Sequence, residues 1–182
     1  MTLSALGIFS AAGAGAGVGD YELIQTQILG STQASISFDV SSFASTYKHL
    51  QIRLLARSTT SPVNQFIRLN GDSGNNYKWH WLEGSGSSVS SGNSGASAIG
   101  FCVTHADSNN FTASVIDILD AFSTTKNTTV RAFSGSARSG TNWLGLYSGA
   151  WFNTASVTSI GVGFGSESLV AGSRFSLYGI RG

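Results

Sequence analysis

The chain has 182 residues, enough for one domain with a core of its own. Ten basic and nine acidic residues nearly balance, and the absence of a basic block excludes the electrostatic footprint of nucleic-acid binding. The single cysteine, Cys102, can form neither an internal disulfide nor a zinc site, and no apolar run is long enough to cross a membrane. Charged residues make up only 10% of the chain, with Ser, Thr, Asn and Gly in their place. This composition favours a β protein whose surface is largely covered by other proteins.

Residues 1–19 are predicted to form a separate, flexible N-terminal arm. The arm begins with an apolar head, Leu3, Leu6, Ile8 and Phe9, and continues with glycine and alanine to Gly19. Glycine-rich chain cannot pack a core, so a disordered tail is one interpretation. The second is an arm whose apolar head binds a neighbouring subunit, with those four residues as the partner-binding set. A membrane-inserting peptide is a third, although the apolar part is short for that purpose.

Residues 20–182 form one predicted β domain, in which apolar and polar side chains alternate along short segments separated by turn residues. The alternation is clearest in residues 46–83, where Leu50, Ile52 and Leu54 share one face of a strand. Strands are predicted at residues 21–29, 35–40, 49–57, 64–70, 77–83, 99–105, 111–119, 128–134, 143–152, 157–164 and 174–180. Their even spacing predicts an all-β fold, a jelly-roll-like antiparallel β-sandwich.

Two local features of this domain can also be predicted. Residues 84–97, GSGSSVSSGNSGAS, contain almost no apolar side chain, which predicts a long mobile loop. The alternation in residues 157–164 places Ile160, Val162 and Phe164 on the inward face.

The segment from Asn70 to Asn76, NGDSGNN, has two interpretations. Its glycines supply the positive φ that a hairpin turn needs. Its regularly spaced oxygen donors are also typical of a calcium loop, but it has one carboxylate and lacks the terminal bidentate glutamate. The hairpin turn is the favoured interpretation.

No arrangement of residues predicts catalysis or a cofactor. The three histidines, His49, His80 and His105, are far apart in sequence and lack metal-site spacing. Asp117 and Asp120 lie three residues apart, which strand periodicity places on opposite faces, and the other acids are scattered. There is no serine elbow and no phosphate loop followed by Lys-Ser or Lys-Thr. We therefore expect a protein that is not an enzyme and binds no metal.

Four tryptophans are candidates for either the core or a binding site. Trp79 and Trp81 alternate with polar residues, and Trp143 and Trp151 share a face with two glycines. If these side chains are buried, they form core; if they are exposed, they stack on a host glycan or fill a pocket of a partner. Core packing is the default interpretation.

Several motifs recur together in a known group of proteins. They are YELI at 21–24, TYKHLQIR at 46–53, ARS at 56–58, RLNGDSGNNY at 68–77, GSRFSLYGI at 172–180 and SALGIFSAAGAG at 4–15. With these motifs the chain resembles small virion structural proteins of tailed bacteriophages, over most of residues 4–182. The resemblance implies a jelly-roll-like domain working as a homo-oligomer, with a trimer favoured, and no catalytic residues.

The resemblance leaves two functions open. The first is a capsid decoration or cement protein on the outer surface of the head, which binds the major capsid protein or other virion proteins through its arm and oligomeric β domain. The second is a tail-fibre or tail-tip module that binds host glycan through residues 84–97 and Trp79 or Trp81. The chain has no heptads and no fibrous repeat, which favours decoration.

Overall fold

The computed structural model describes residues 19–137 and 142–182, and the predicted partner-binding residues Leu3, Leu6, Ile8 and Phe9 lie outside this part of the chain. The described part is built almost entirely of strands, with one short 3₁₀ turn at Ser41–Phe43. The twelve strands of the described residues are β1 Tyr21–Ile28, β2 Ser35–Asp39, β3 His49–Ala56, β4 Val63–Leu69, β5 Tyr77–Ser85, β6 Ser88–Ala96, β7 Ile99–Thr104, β8 Thr112–Leu119, β9 Thr128–Ser136, β10 Trp143–Trp151, β11 Ser159–Gly163 and β12 Arg174–Ile180.

The strands form two antiparallel sheets that pack face to face. The larger sheet has the order β1-β12-β3-β8-β9-β10-β5-β6, and the smaller has the order β2-β11-β4-β7. When the hairpins β5–β6 and β9–β10 are left out, eight strands remain, in sheets β1-β12-β3-β8 and β2-β11-β4-β7. Renumbered 1 to 8 in chain order, these sheets have the strand orders 1-8-3-6 and 2-7-4-5. This is the strand order of a jelly roll, two interlocked Greek keys, so the predicted fold is confirmed.

The two extra hairpins widen only one of the sheets. The hairpin β9–β10 continues the large sheet from β8, and β5–β6 joins its far edge through pairing of β5 with β10. The large sheet therefore extends past the edge of the small one. The aromatic side chains of β5 and β10 fill the space beneath β7, the edge strand of the small sheet.

The core lies between the sheets and follows the predicted alternation. In β3 and β4 every second side chain is buried. These inward residues are Leu50, Ile52, Leu54 and Ala56 in β3 and Val63, Gln65, Ile67 and Leu69 in β4.

The prediction of a mobile loop at residues 84–97 is wrong. Most of this segment is β6, which pairs with β5 along its whole length, and Gly86 has a φ of 59° in the tight turn between them. Gly92 lies opposite Trp81, and a Cβ at this position would overlap the indole ring. The strand thus forms because β5 offers a backbone edge and an aromatic surface, although its own side chains supply almost no apolar burial.

The inward placement of Phe164 is also wrong. Ile160 and Val162 are buried as predicted, but Gly163 has a φ of 121° and Phe164 a φ of 57°. These angles break the alternation of the strand, so the Phe164 ring lies on the outer side of the small sheet. There its centroid is 4.6 Å from the guanidinium carbon of Arg68, a cation–π contact.

Candidate functional site

The histidines do not converge on one point. His49 accepts a hydrogen bond at Nδ1 from the backbone N–H of Asp120 over 2.8 Å, His105 is buried, and His80 is exposed. Within residues 19–137 and 142–182, no group of three or more His, Cys, Asp or Glu side chains is placed to hold a metal ion. In the same part of the chain, no helix is long and apolar enough to span a membrane.

The two acids considered above as a pair, Asp117 and Asp120, are each held by a cation. Arg131 Nε donates to Asp117 Oδ2 over 2.8 Å, and Lys126 Nζ donates to Asp120 Oδ2 over 2.9 Å. The bond from Lys126 lowers the pKa of Asp120. A general acid needs a carboxyl whose pKa is raised, and the environment of Asp120 acts in the opposite direction.

The segment from Asn70 to Asn76 forms a turn that joins the two sheets. Asn70 and Gly71 both have positive φ, 55° and 65°, and the N–H of Asp72 donates to the carbonyl of Leu69 over 3.0 Å. This is a type I′ turn at Asn-Gly, but the predicted hairpin is wrong, because β4 and β5 belong to different sheets and do not pair with each other. The Asp72 carboxylate accepts hydrogen bonds from Trp151 Nε1 at 2.7 Å, Gly74 N at 2.8 Å and Asn76 Nδ2 at 2.9 Å. The carboxylate of the calcium interpretation is thus used to hold the turn against β10.

We expect the stabilising effect of Asp72 to be lost in acid. Hydrogen bonds from Trp151, Asn76 and Gly74 lower the pKa of Asp72 in the folded state below its ordinary value of 3.8. A lowered folded pKa stabilises the protein above the ordinary value, and the stabilisation disappears as pH falls through the folded pKa. Asp72→Asn should therefore lower the urea midpoint at pH 7, and this difference from the unmodified protein should shrink at pH 3 and below.

The control for this prediction is Asn75→Ala, an uncharged exposed position in the same turn. Its effect on the urea midpoint should be the same at both pH values. A deficit of Asp72→Asn that stays constant between pH 7 and pH 3 would contradict the role of the ionised carboxylate.

The four tryptophans lie on the inner face of the large sheet, where Trp79, Trp81 and Trp143 are joined by ring contacts through Tyr147 and Trp151 stacks on Tyr77. Trp151 is 1% exposed and Trp143 is 7% exposed, so both are core residues. Trp79 and Trp81 are half-buried, with ring centroids 5.0 Å apart, and both pack against the core. Gly149 pairs with Trp79 across β10 and β5, and a Cβ there would lie 2.6 Å from the Cβ of Trp79. The alternation of large and small residues on this face is therefore a packing device.

A partly buried acid, Glu83, joins two of these aromatic side chains. Trp143 Nε1 donates to Glu83 Oε2 over 3.2 Å, and the Tyr147 hydroxyl donates to the same oxygen over 3.4 Å. Burial raises the pKa of Tyr147, and the nearby Glu83 carboxylate adds to the shift. The polar atoms of these aromatic residues are thus used inside the protein, which favours the core interpretation of Trp143.

The feature that the core does not explain is the outer face of the large sheet. Among the exposed large apolar side chains that project from it, six lie in neighbouring positions near its middle, each at least about a third exposed. They are Leu55 on β3, Val115 on β8, Phe133 on β9, Leu144 and Leu146 on β10, and Leu82 on β5. We call these six residues the apolar face.

Strand register places these residues in two adjacent rows. Val115, Phe133, Leu146 and Leu82 are successive cross-strand partners, and the next row contains Leu55, Ala113, Gly135 and Leu144. Cross-strand partners lie about 5 Å apart, so the rows form a continuous surface. Because Ala113 and Gly135 are small, the second row is low between Leu55 and Leu144. This gap opens a groove of about 590 Å³, with Val115 and Phe133 along one side.

A polar network borders the apolar face beside the row of Val115 and Phe133, on the side away from the groove. Tyr21 donates to Gln51 Oε1 over 2.7 Å, Gln51 Nε2 donates to Asp117 Oδ1 over 2.7 Å, and Arg131 completes the chain through Asp117. Arg53 lies over the Tyr21 ring at 5.3 Å and donates to the same Gln51 oxygen over 3.0 Å. The apolar area thus has a defined polar rim on this side, as protein interfaces have.

The outer face of the small sheet has a different character. Its exposed side chains include Ser37, Asp39 and Asn64, which are ordinary solvent-facing residues. Large contiguous apolar patches are rare on soluble monomers and, where they occur, mark interaction sites. The apolar face is therefore the candidate functional site of the described chain.

Comparison of the chain with family models, with curated proteins and with solved structures found no match.

Proposed function

We propose that this protein is a non-enzymatic structural protein of a bacteriophage virion that decorates the assembled head. In this proposal it acts as a cement protein, which binds the major capsid protein or other virion proteins through its N-terminal arm and a homo-oligomeric β domain. The observation that carries the proposal is the apolar face, which a jelly roll does not need for its own core.

Physical chemistry supports assembly as the role of this face. Burying apolar area contributes about 25 cal/mol per Å², and a standard interface buries about 800 Å² per partner. Six side chains in adjacent rows supply the apolar centre of such an interface, with the polar network of Arg53, Gln51 and Asp117 at its rim. A closed homo-oligomer, with a trimer favoured, would also protect the edge strands β1 and β6 from uncontrolled pairing.

The fibre or tail-tip alternative has less support. Its proposed glycan site used residues 84–97 as a loop and the tryptophans as stacking surfaces. Residues 88–96 form a paired strand, and Trp143 and Trp151 are buried. Trp79 and Trp81 are half-buried and pack on each other and on the core.

Coating of isolated capsids tests the proposal directly. We expect the full chain to bind undecorated heads of its parent phage at saturable occupancy, and binding should raise the temperature at which the heads release DNA. Deletion of residues 1–19 should leave a domain that is still folded by circular dichroism but no longer coats the heads. Each copy would lose the contact made by its arm, and multivalent binding weakens steeply when one of its contacts is lost.

The matched control replaces residues of the arm without removing its apolar head. Ala5, Ala11, Ala12 and Ala14 changed to serine should preserve coating, whereas Leu3, Leu6, Ile8 and Phe9 changed to serine should abolish it. Failure of the full folded chain to bind heads at any concentration would contradict the proposed function, and specific binding to tails would replace it with the alternative.

A further inference from the structure

We propose that the groove on the apolar face receives the apolar head of the arm, Leu3 to Phe9, from a neighbouring copy of this chain. The inference rests on the proposed function in that it names the partner of the same surface. The proposed function names virion proteins as partners but does not say what fills the groove, and this inference assigns that occupant.

The groove matches a short apolar segment in shape and chemistry. Its floor is formed by Ala113 and Gly135, its ends by Leu55 and Leu144, and one wall by Phe133. Its volume of about 590 Å³ is enough for several apolar side chains.

The arm can enter this groove without burying a charge. Residues 1–19 contain no charged side chain, and the head presents four large apolar residues within seven positions. Burying such a segment therefore avoids the desolvation cost that a charged peptide would have. Arg53 and Arg174 lie along the groove, at the end nearest β12, where their charged groups stay accessible to solvent.

The position at which the arm leaves the domain favours a neighbour's groove over the chain's own. Tyr21, the first residue of β1, pairs with Ile180, whereas Ile28 at the other end pairs with Arg174, which lies level with Leu55 and the groove. The arm therefore leaves the large sheet at the end opposite to the groove floor, although Tyr178, at the near rim of the groove, stacks on Tyr21 with ring centroids 4.8 Å apart. To reach its own groove it would have to reverse direction and return across the outer face.

Chain dimensions add to this argument. From Tyr21 to Ala113 the sheet spans three strand spacings and six residues along a strand, a diagonal of about 25 Å. The stretch from Ser10 to Tyr21 has a coil reach of about 18 Å when flexible, although it could span about 36 Å when fully extended. Own-chain docking thus requires a reversal and an arm stretched beyond its coil reach, which reduces the effective concentration of the arm at its own groove.

When the apolar head of one copy's arm docks in the groove of the next copy, two different surfaces meet, which makes the contact heterologous. Such contacts close into a ring when the rotation between copies permits, and this fits the favoured trimer. The arm would then link copies to one another, and the linked copies would hold the shell by avidity.

Disulfide trapping in the purified protein tests this inference without phage particles. The variant Ser10→Cys with Ala113→Cys places one thiol beside the apolar head of the arm and one in the floor of the groove. The native Cys102 is buried, so its thiol is shielded from the cross-linking reaction. We expect mild oxidation to give covalent multimers about tenfold faster than in the control Ser10→Cys with Ser37→Cys, whose second thiol lies on the outer face of the small sheet. Adding Ile8→Ser and Phe9→Ser should reduce the trapping by at least about tenfold, because the head would no longer be held.

Three results would overturn the inference. The first is a cross-link within one chain, which would mean that the arm covers its own groove; the second is equal trapping at Ala113 and Ser37; the third is the absence of trapping in a folded protein. The proposed function fails separately, when the full chain does not bind heads, so the two failures can be told apart.

Discussion

Replacing Trp151 with alanine should lower the free energy of unfolding by about 3–5 kcal/mol, the range measured for large-to-small changes at buried aromatic sites. The side chain is 1% exposed, and its ring stacks on Tyr77 with centroids 6.4 Å apart. Its Nε1 donates to Asp72 Oδ2 over 2.7 Å, so the substitution also removes a hydrogen bond that holds the turn after β4. A loss of this size is a large share of the stability of one domain. Urea unfolding followed by far-ultraviolet circular dichroism measures it without relying on tryptophan fluorescence.

The adjacent residue provides the control for this substitution. Phe152 is 51% exposed, and its ring lies 5.8 Å from the ammonium of Lys78. Phe152→Ala should cost about 1 kcal/mol or less, since little apolar area is released from burial. Equal costs for Trp151→Ala and Phe152→Ala would contradict the packing of β10 against the core.

Most of the strands could be predicted because one face of each is buried. In β3, Leu50, Ile52 and Leu54 alternate with polar residues, and this period of two identifies a half-buried strand without further information. The partners of each strand could not be predicted in the same way. Tyr21 pairs with Ile180 at the other end of the chain, and nothing local in either segment encodes that contact.

The hairpin β5–β6 was missed because its second strand is stabilised by its neighbour. Ser88 to Ala96 contains serine, glycine and asparagine, which have low strand preference, so composition alone predicts a loop. Its ladder to β5 and the contact of Gly92 with the Trp81 ring supply the stabilisation. The useful local signal was Gly86, which lies between two segments of equal length and has the positive φ of a tight turn.

The apolar face was missed because apolar residues lie on both sides of the strands that carry it. In β8, Val115 is exposed and its neighbour Ile116 is buried; in β10, Leu144 and Leu146 lie opposite the aromatic face. Sequence alone shows that both faces are apolar but cannot tell which one is covered within the subunit. Strands with two apolar faces in an antiparallel sheet are nevertheless a signal, since one face of such a sheet normally meets water.

The two outer surfaces of the sandwich differ in character, and this difference suits the proposed decoration of a particle. The small sheet presents Ser37, Asp39 and Asn64, and the large sheet presents the apolar face. A subunit that contacts partners with one broad sheet and leaves the other in solvent is suited to the outside of a particle.

The double substitution Phe133→Thr and Leu146→Thr should leave the fold intact and prevent assembly. Both side chains are about half exposed, and threonine is favoured in strands, so the melting temperature should change by no more than about 4 °C. The two residues are cross-strand partners at the centre of the apolar face, so they act as one contact. Losing about 2–4 kcal/mol of apolar burial per contact weakens association by about 30- to 1000-fold. Light scattering after size exclusion measures the oligomer, and sedimentation with capsids measures coating.

The matched control for this substitution is Phe152→Thr, because Phe152 and Phe133 are 51% and 52% exposed. Phe152 is six residues from Leu146 along the chain, about 20 Å away in an extended strand and outside the apolar face. It should assemble and coat capsids as the unmodified protein does. If the control and the double variant lost assembly equally, general surface hydrophobicity would be the cause. If neither lost it, subunits would associate through another surface, and the apolar face would have no part in assembly.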